Sequence, residues 1–172
     1  MNSKTYIHYG TDTFDRERFQ TARNRDNGLG ISIKPVPGTG LWASPLGAEH
    51  SWKNWCEDQE FCTDRLDKWI IFRVRRPEKI LFINSRETLN NLFKHYGKVA
   101  MYDKPFYLAN PALDFEKMMA DGYVGMEISI SDYFRIYDEL YGWDCDSIVI
   151  FYEDEIEIIG SSKDEYSGGR FA

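Results

Sequence analysis

Three short segments of this chain carry residue types that could do chemistry together. They are Ile7-His8-Tyr9-Gly10-Thr11, Gly40-Leu41-Trp42-Ala43-Ser44 and Cys145-Asp146-Ser147-Ile148-Val149-Ile150. The first supplies an imidazole that can hydrogen-bond a hydroxyl group, and its glycine lets a ligand approach the backbone closely. The second supplies an aromatic side chain on a short strand. The third places a carboxylate at the head of an apolar strand, where it can stabilise a developing positive charge.

A second aromatic group follows Ser51. Trp52, Trp55, Cys56 and Gln59 fall at i, i+3, i+4 and i+7, which is one stripe of a helix. The same spacing suits core packing, and periodicity alone favours that interpretation for both tryptophans. Judged singly, a histidine at a strand end and an aspartate before a strand also suit ordinary structural positions.

Taken together and in this order, the segments resemble the NAD site of the ADP-ribosyltransferase superfamily. The resemblance is to its His–aromatic–acid branch, which includes diphtheria toxin and the poly-ADP-ribose polymerases, and to small bacterial or phage mono-ADP-ribosyltransferases. It extends over almost the whole chain and implies a set of NAD-binding residues: His8, Gly10, Thr11, Trp42, Ser44, Ser51, Trp52 and Trp55. In that set His8 holds a ribose, and Trp42 and Trp55 flank nicotinamide. Trp52 is an alternative to Trp55, and either Ser44 or Ser51 meets the carboxamide.

The resemblance also implies the catalytic residues, Asp146 and His8. Asp146 stands where the family has a glutamate, and its side chain is one methylene shorter. Asp144 and Glu127 are alternative acids. A second departure is Tyr9, which separates His8 from Gly10, whereas many family members have the glycine next to the histidine.

The function implied is that of a mono-ADP-ribosyltransferase. It would transfer ADP-ribose from NAD, as substrate, to a macromolecular acceptor and release nicotinamide, with no metal. The acidic balance slightly favours a protein acceptor and leaves nucleic acid as an alternative. Two other functions stay open: an NAD glycohydrolase on the same fold, with water as acceptor, and a catalytically inactive binding or interaction module.

Composition limits the class of protein. A length of 172 residues predicts one domain, residues 1–160, followed by a mobile tail, residues 161–172. A net charge of −7 gives no overall attraction to phosphate backbones. Three cysteines without a CxxC pair and three scattered histidines predict no disulfide framework and no metal site. The sequence has no apolar run of membrane-spanning length, so we expect a cytoplasmic protein without a membrane partner.

The predicted elements alternate irregularly. Strands are expected at 6–9, 41–44, 69–74, 79–83, 125–129, 146–152 and 155–159, and helices at 51–61, from Ser85, at 114–121 and at 131–140. Because the strands are short and βα alternation is irregular, the pattern predicts an α+β fold. The resemblance specifies it further as a split fold, in which two small mixed or antiparallel sheets face each other across an NAD cleft.

Overall fold

The computed structural model describes residues 4–25, 33–98, 112–140 and 142–166. Its strands are β1 (Thr5–Tyr9), β2 (Leu41–Pro45), β3 (Trp69–Val74), β4 (Ile80–Ile83), β5 (Gly97–Lys98), β6 (Ala112–Leu113), β7 (Gly125–Ile128), β8 (Ser147–Ile150) and β9 (Ile156–Ser161). Its helices are α1 (Trp52–Asp58), α2 (Arg86–Tyr96), α3 (Phe115–Ala120), α4 (Ile136–Glu139) and α5 (Ser162–Tyr166). Short 3₁₀ turns span Thr63–Arg65, Pro77–Lys79 and Glu153–Glu155.

The α+β class predicted from the sequence is confirmed. Seven strands form one mixed sheet in the order β4-β7-β8-β2-β1-β3-β9, and β5 pairs with β6 in a separate two-stranded sheet. In the large sheet only β4 and β7 run parallel; the other neighbours are antiparallel. The strands are therefore divided seven and two, and not into two sheets of similar size.

The large sheet is narrow at its middle, where β2 joins its two halves. Leu41, Trp42 and Ala43 pair with β8, whereas Ser44 and Pro45 pair with β1. Only two Cα pairs connect β1 with β2, and β1 continues past them alongside β3. The sheet is thus continuous, but the pairing of β1 with β2 ends at the Ile7–Ser44 pair, and His8 and Ala43 are no longer paired with each other.

Two apolar clusters cover the two faces of the sheet. On one face, α2, α3 and α4 pack against β4, β7 and β8, and their buried side chains include Leu89, Met118 and Ile136. On the other face, Tyr6 and Phe72 belong to a second buried cluster, against which side chains of the segment after β1 also pack. β7 and β8 are buried along their whole length, which explains the nearly continuous apolar run of β8 in the sequence.

Helix α2 begins where the sequence predicts. The Ser85 hydroxyl accepts a hydrogen bond from the Thr88 backbone N–H (3.2 Å), and the Thr88 hydroxyl oxygen accepts one from the Ser85 N–H (3.0 Å). This reciprocal capping box satisfies two backbone donors that the first helical turn leaves unpaired.

Other bounds differ from the prediction. α1 is shorter than 51–61, and α4 keeps only the last part of 131–140. β9 continues to Ser161 and leads into α5, so residues 161–166 of the predicted tail lie in regular structure; residues 167–172 lie outside the described residues. Within the described part of the chain, no helix is long and apolar enough to cross a membrane.

Candidate functional site

A cleft of about 310 Å³ opens where β1 and β2 stop pairing. The ends of both strands line it, together with the segment before β2, the start of α1, the turn after α1 and the start of β8. Four of the residues that the sequence assigns to an NAD site meet here: His8, Gly10, Trp42 and Trp52.

His8 bridges the opening between the two strands. Its Nδ1 lies 2.5 Å from the backbone oxygen of Trp42. Because a carbonyl oxygen only accepts, Nδ1 carries the proton and Nε2 is left as an acceptor in the neutral imidazole. Burial lowers the pKa of His8, although the bond to Trp42 opposes that shift. The neutral form with an acceptor nitrogen is therefore favoured at neutral pH.

Trp42 and Trp52 supply aromatic walls. The Trp42 ring lies between Trp143, whose ring centroid is 4.6 Å away, and Lys34, whose Nζ is 5.5 Å from the ring centroid. Trp143 is fully buried and packs against Trp42, which limits the movement of the Trp42 ring. Trp52 faces the cleft from the first residue of α1. Aromatic walls of this kind suit a planar heterocycle.

Two cationic residues, Lys34 and Arg65, also line the cleft. Burial lowers the pKa of Lys34 and Arg25 adds to this effect, whereas Asp144 and Cys145 oppose it. The Lys34 stem passes close to Gly142, where a Cβ would lie 3.2 Å from Cε and where φ is +96°. Both observations explain a glycine at position 142. Sequence patterns missed Lys34 because it lies in a Gly- and Pro-rich loop without periodicity.

Gly10 keeps the end of β1 open. Its φ is +102°, and a Cβ built there would have no neighbouring atom within 4 Å. A ligand can therefore approach the backbone at this point, as the sequence predicted. Thr11 follows but does not line the cleft; its hydroxyl donates to the Thr13 carbonyl at 2.8 Å.

The other three predicted NAD-binding residues make local contacts instead. The buried Ser44 hydroxyl accepts a hydrogen bond from the Trp52 backbone N–H (2.8 Å), and the Ser51 hydroxyl accepts one from the Asn54 N–H as the cap of α1. Trp55 stacks on Trp52, with centroids 5.1 Å apart. None of the three lines the cleft, although Ser44 and Trp55 both contact Trp52, which does.

Asp146 points away from the cleft. Its Oδ1 accepts hydrogen bonds from the backbone N–H groups of Ile130 (2.6 Å) and Ser131 (3.0 Å), and its Oδ2 accepts one from the Ser131 hydroxyl (2.5 Å). Its neighbours Cys145 and Ser147 are the residues that line the cleft. The hydrogen bonds to Ile130 and Ser131 hold the carboxylate on the side of the segment that follows β7. Asp146 therefore does not line the cleft to which the sequence assigned it.

The two alternative acids, Glu127 and Asp144, do not line the cleft either. Glu127 is buried, forms an ion pair with Lys4, and accepts a hydrogen bond from the Tyr6 hydroxyl at 2.7 Å. Asp144 is half-buried and close enough to Lys34 to raise the pKa of that amine. The Asp144 charge acts on two cleft residues, Lys34 and Cys145, whereas the Asp146 charge acts on Cys145 alone. Among the described residues, no carboxylate side chain lines the cleft itself.

Two thiols complete the wall. Cys145 is buried, which raises the pKa of its thiol, and its Sγ lies 3.1 Å from the Ser147 hydroxyl. Cys62 lies on the opposite side, at a backbone φ of +49°. In the described ranges, no group of three or more His, Cys, Asp or Glu side chains is arranged to hold a metal ion.

Comparisons add no relative: no protein-family model, no curated protein and no solved structure matches this chain. The evidence for what this protein binds therefore lies in the cleft and in the chemistry of the residues that line it.

Proposed function

We propose that the chain is a mono-ADP-ribosyltransferase that binds NAD in the cleft between β1 and β2. The observation that carries this proposal is the bridge from His8 Nδ1 to the Trp42 carbonyl, which leaves Nε2 as an acceptor in a cleft that is also lined by aromatic rings and two cations. The continuous sheet that narrows between β1 and β2 would then be a form of the split ADP-ribosyltransferase fold.

Three parts of NAD have a complementary group in the cleft. Nicotinamide would lie against Trp42 and Trp52, since aromatic faces stack on a planar ring. A hydroxyl group of the nicotinamide ribose would donate a hydrogen bond to His8 Nε2. The pyrophosphate would lie between Lys34 and Arg65, whose positive charges stabilise it. Gly10 would leave room for the dinucleotide at the end of β1.

The reaction breaks the bond between ribose C1′ and the nicotinamide nitrogen. Nicotinamide leaves with the electron pair of that bond, and the cation left at C1′ then forms a bond to a nucleophile of the acceptor, whose proton is released. A carboxylate close to C1′ stabilises this cation by charge. We assign this role to Asp144, because the carboxylates of Asp146 and Glu127 are engaged elsewhere. Asp146 would then be a positioning residue that orders the segment before β8.

The test is nicotinamide release from NAD by the purified protein, with and without a lysate that contains acceptors. Asp144→Asn should lower release by about 100-fold, the scale of losing one electrostatic group aimed at the transition state. Asp138→Asn, which changes an exposed acid on α4, is the matched control. ADP-ribose that accumulates on macromolecules supports transfer, whereas free ADP-ribose alone indicates a glycohydrolase. Full release by the folded Asp144→Asn variant would refute the assignment.

One observation favours a second candidate, a module that binds the dinucleotide without turning it over. No described carboxylate side chain lines the cleft, although the acid is what the chemistry requires. That candidate predicts NAD binding that depends on Lys34 and Trp42, with no nicotinamide released by any variant. Isothermal titration calorimetry beside the release assay separates the two candidates.

A further inference from the structure

Three aromatic side chains form a surface next to the cleft, the aromatic ledge, composed of Trp52, Trp55 and Phe61. The two indoles stack with centroids 5.1 Å apart and planes 18° apart. Phe61 meets both edge-on, at 6.1 Å from Trp52 and 5.7 Å from Trp55, and is 48% exposed. Because Trp52 also lines the cleft, the aromatic ledge extends the cleft wall outward.

The end of α1 holds Phe61 in this exposed position. The Phe61 N–H donates to the Cys56 carbonyl (2.8 Å) and the Glu60 N–H to the Glu57 carbonyl (3.4 Å). These are the two bonds of a Schellman motif, in which Glu60 takes the left-handed position at φ +52° that glycine usually fills. Phe61 packs on Trp55 as the apolar contact of that motif. The ring is thus fixed by backbone geometry and is not a loosely attached side chain.

The charges around the aromatic ledge are mainly negative. Residues 51–68 contain five acids, Glu57, Asp58, Glu60, Asp64 and Asp67, and three bases, Lys53, Arg65 and Lys68. Arg65 is the base that lines the cleft.

One of these acids, Glu57, is close enough to the cleft for its charge to act on a residue that lines it. After burial, its charge is the second cause that raises the pKa of Tyr9, which lines the cleft. Lys53 lies 3.8 Å from Glu57, but both side chains are about half exposed, so water screens that pair. The cleft therefore presents positive charge to a ligand. Beside it, Asp58 follows Trp55 by one turn of α1, so a carboxylate lies on the same side of that helix as the aromatic ledge.

We propose that the aromatic ledge binds an arginine side chain of a partner protein. A guanidinium is planar and cationic, so it can stack on an indole face while it donates hydrogen bonds to a carboxylate such as Asp58, which follows Trp55 by three residues on α1. A nucleic acid is disfavoured, because its phosphates would meet the acids of residues 51–68. The further identification of this partner as the ADP-ribose acceptor rests on the proposed function; arginine binding itself does not.

The experiment titrates the protein, without NAD, with the peptide acetyl-Gly-Arg-Gly-amide and follows the tryptophan indole N–H signals by NMR. The neutral isostere with citrulline in place of arginine is the comparison ligand. The citrulline peptide should bind about 5- to 30-fold more weakly, the range expected from a cation–π contact with a nearby carboxylate. Asp58→Asn and Phe61→Ala should each weaken arginine binding, whereas Phe134→Ala, which removes a 72% exposed aromatic ring on another segment, should not.

Equal binding of the two peptides would overturn the proposal, because the contact would then be apolar and not cationic. Binding of an oligo-dT strand that is lost in Phe61→Ala would also overturn it, in favour of a nucleic-acid partner. Asp58→Asn changes one charge at an exposed position with little effect on packing, so the test does not depend on Phe61→Ala folding. Nicotinamide release is measured separately: its absence beside arginine binding contradicts only the proposed function, and the reverse result contradicts only this inference.

Discussion

Removal of the Asp146 carboxylate should destabilise the protein, because that carboxylate holds together the turn at Ile130 and Ser131. It is 5% exposed and accepts three hydrogen bonds. In Asp146→Ala the buried Ile130 N–H loses its acceptor, which costs about 1–3 kcal/mol, whereas the exposed Ser131 donors regain water. With the loss of charge-assisted bonds added, we expect the free energy of unfolding to fall by about 2–4 kcal/mol.

Asp146→Asn is the graded comparison. It keeps one oxygen for the two backbone donors, and its amide can donate to the Ser131 hydroxyl, so we expect a loss of only about 1 kcal/mol. Urea unfolding followed by circular dichroism measures both variants, and thermal midpoints should fall by about 2–4 °C per kcal/mol. The reasoning is refuted if Asp146→Asn keeps wild-type stability yet loses nicotinamide release 100-fold, since Asp146 would then act on NAD.

Three other perturbations test neighbouring groups. Burial and then Glu127 raise the pKa of Tyr6, so the folded protein should lose stability as the pH rises above about 10, where tyrosine in the unfolded chain ionises first. Tyr6→Phe should reduce that alkaline slope, to which Tyr9 and Tyr96 also contribute. It should also cost about 1–3 kcal/mol at pH 7 by leaving Glu127 short of a donor, and an unchanged urea midpoint would contradict this. Burial lowers the pKa of His8, so below pH about 6.5 the unfolded chain binds more protons than the folded protein. The free energy of unfolding should therefore decrease as the pH falls from about 6.5 towards the pKa of His8 in the folded protein. Urea titrations at several pH values measure this dependence, which should be flatter for His8→Asn. Glu60→Gly should raise the unfolding free energy by about 1 kcal/mol, because glycine adopts the left-handed conformation without a Cβ clash, and a lower thermal midpoint would show that the Glu60 side chain stabilises the helix end.

The sequence predicted the strands of the large sheet because each is an apolar run between turn signals. β3 lies where it was predicted, and β1, β2, β4, β7 and β9 shift by one or two residues. The division of the strands into sheets was not predictable, since it depends on pairings between distant segments, such as β2 with β8. α4 was overestimated because the Ser131 end of that segment is used to hydrogen-bond Asp146 and not to start a helix.

The candidate site was predicted where it depends on strand ends and missed where it depends on loops. His8 and Trp42 meet because antiparallel strands bring the end of one beside the start of the other. Lys34 and Arg65 come from segments without periodicity, so only the folded chain shows that they share the cleft. Asp146 was expected at the cleft, but its carboxylate bonds Ile130 and Ser131, a contact between segments that the residue types before β8 do not indicate.

The divided charge around the site bears on how substrates would be selected. The cations that line the cleft favour a dinucleotide's pyrophosphate, and they would repel a cationic side chain that entered there alone. The acids beside the aromatic ledge have the opposite preference. If both proposals hold, an arginine-bearing protein can dock only beside the cleft, and bound NAD reduces the repulsion from Lys34 and Arg65. NAD should therefore tighten binding of the arginine peptide, and titrating that peptide with and without NAD measures the coupling; weaker binding with NAD present would show that the two sites compete.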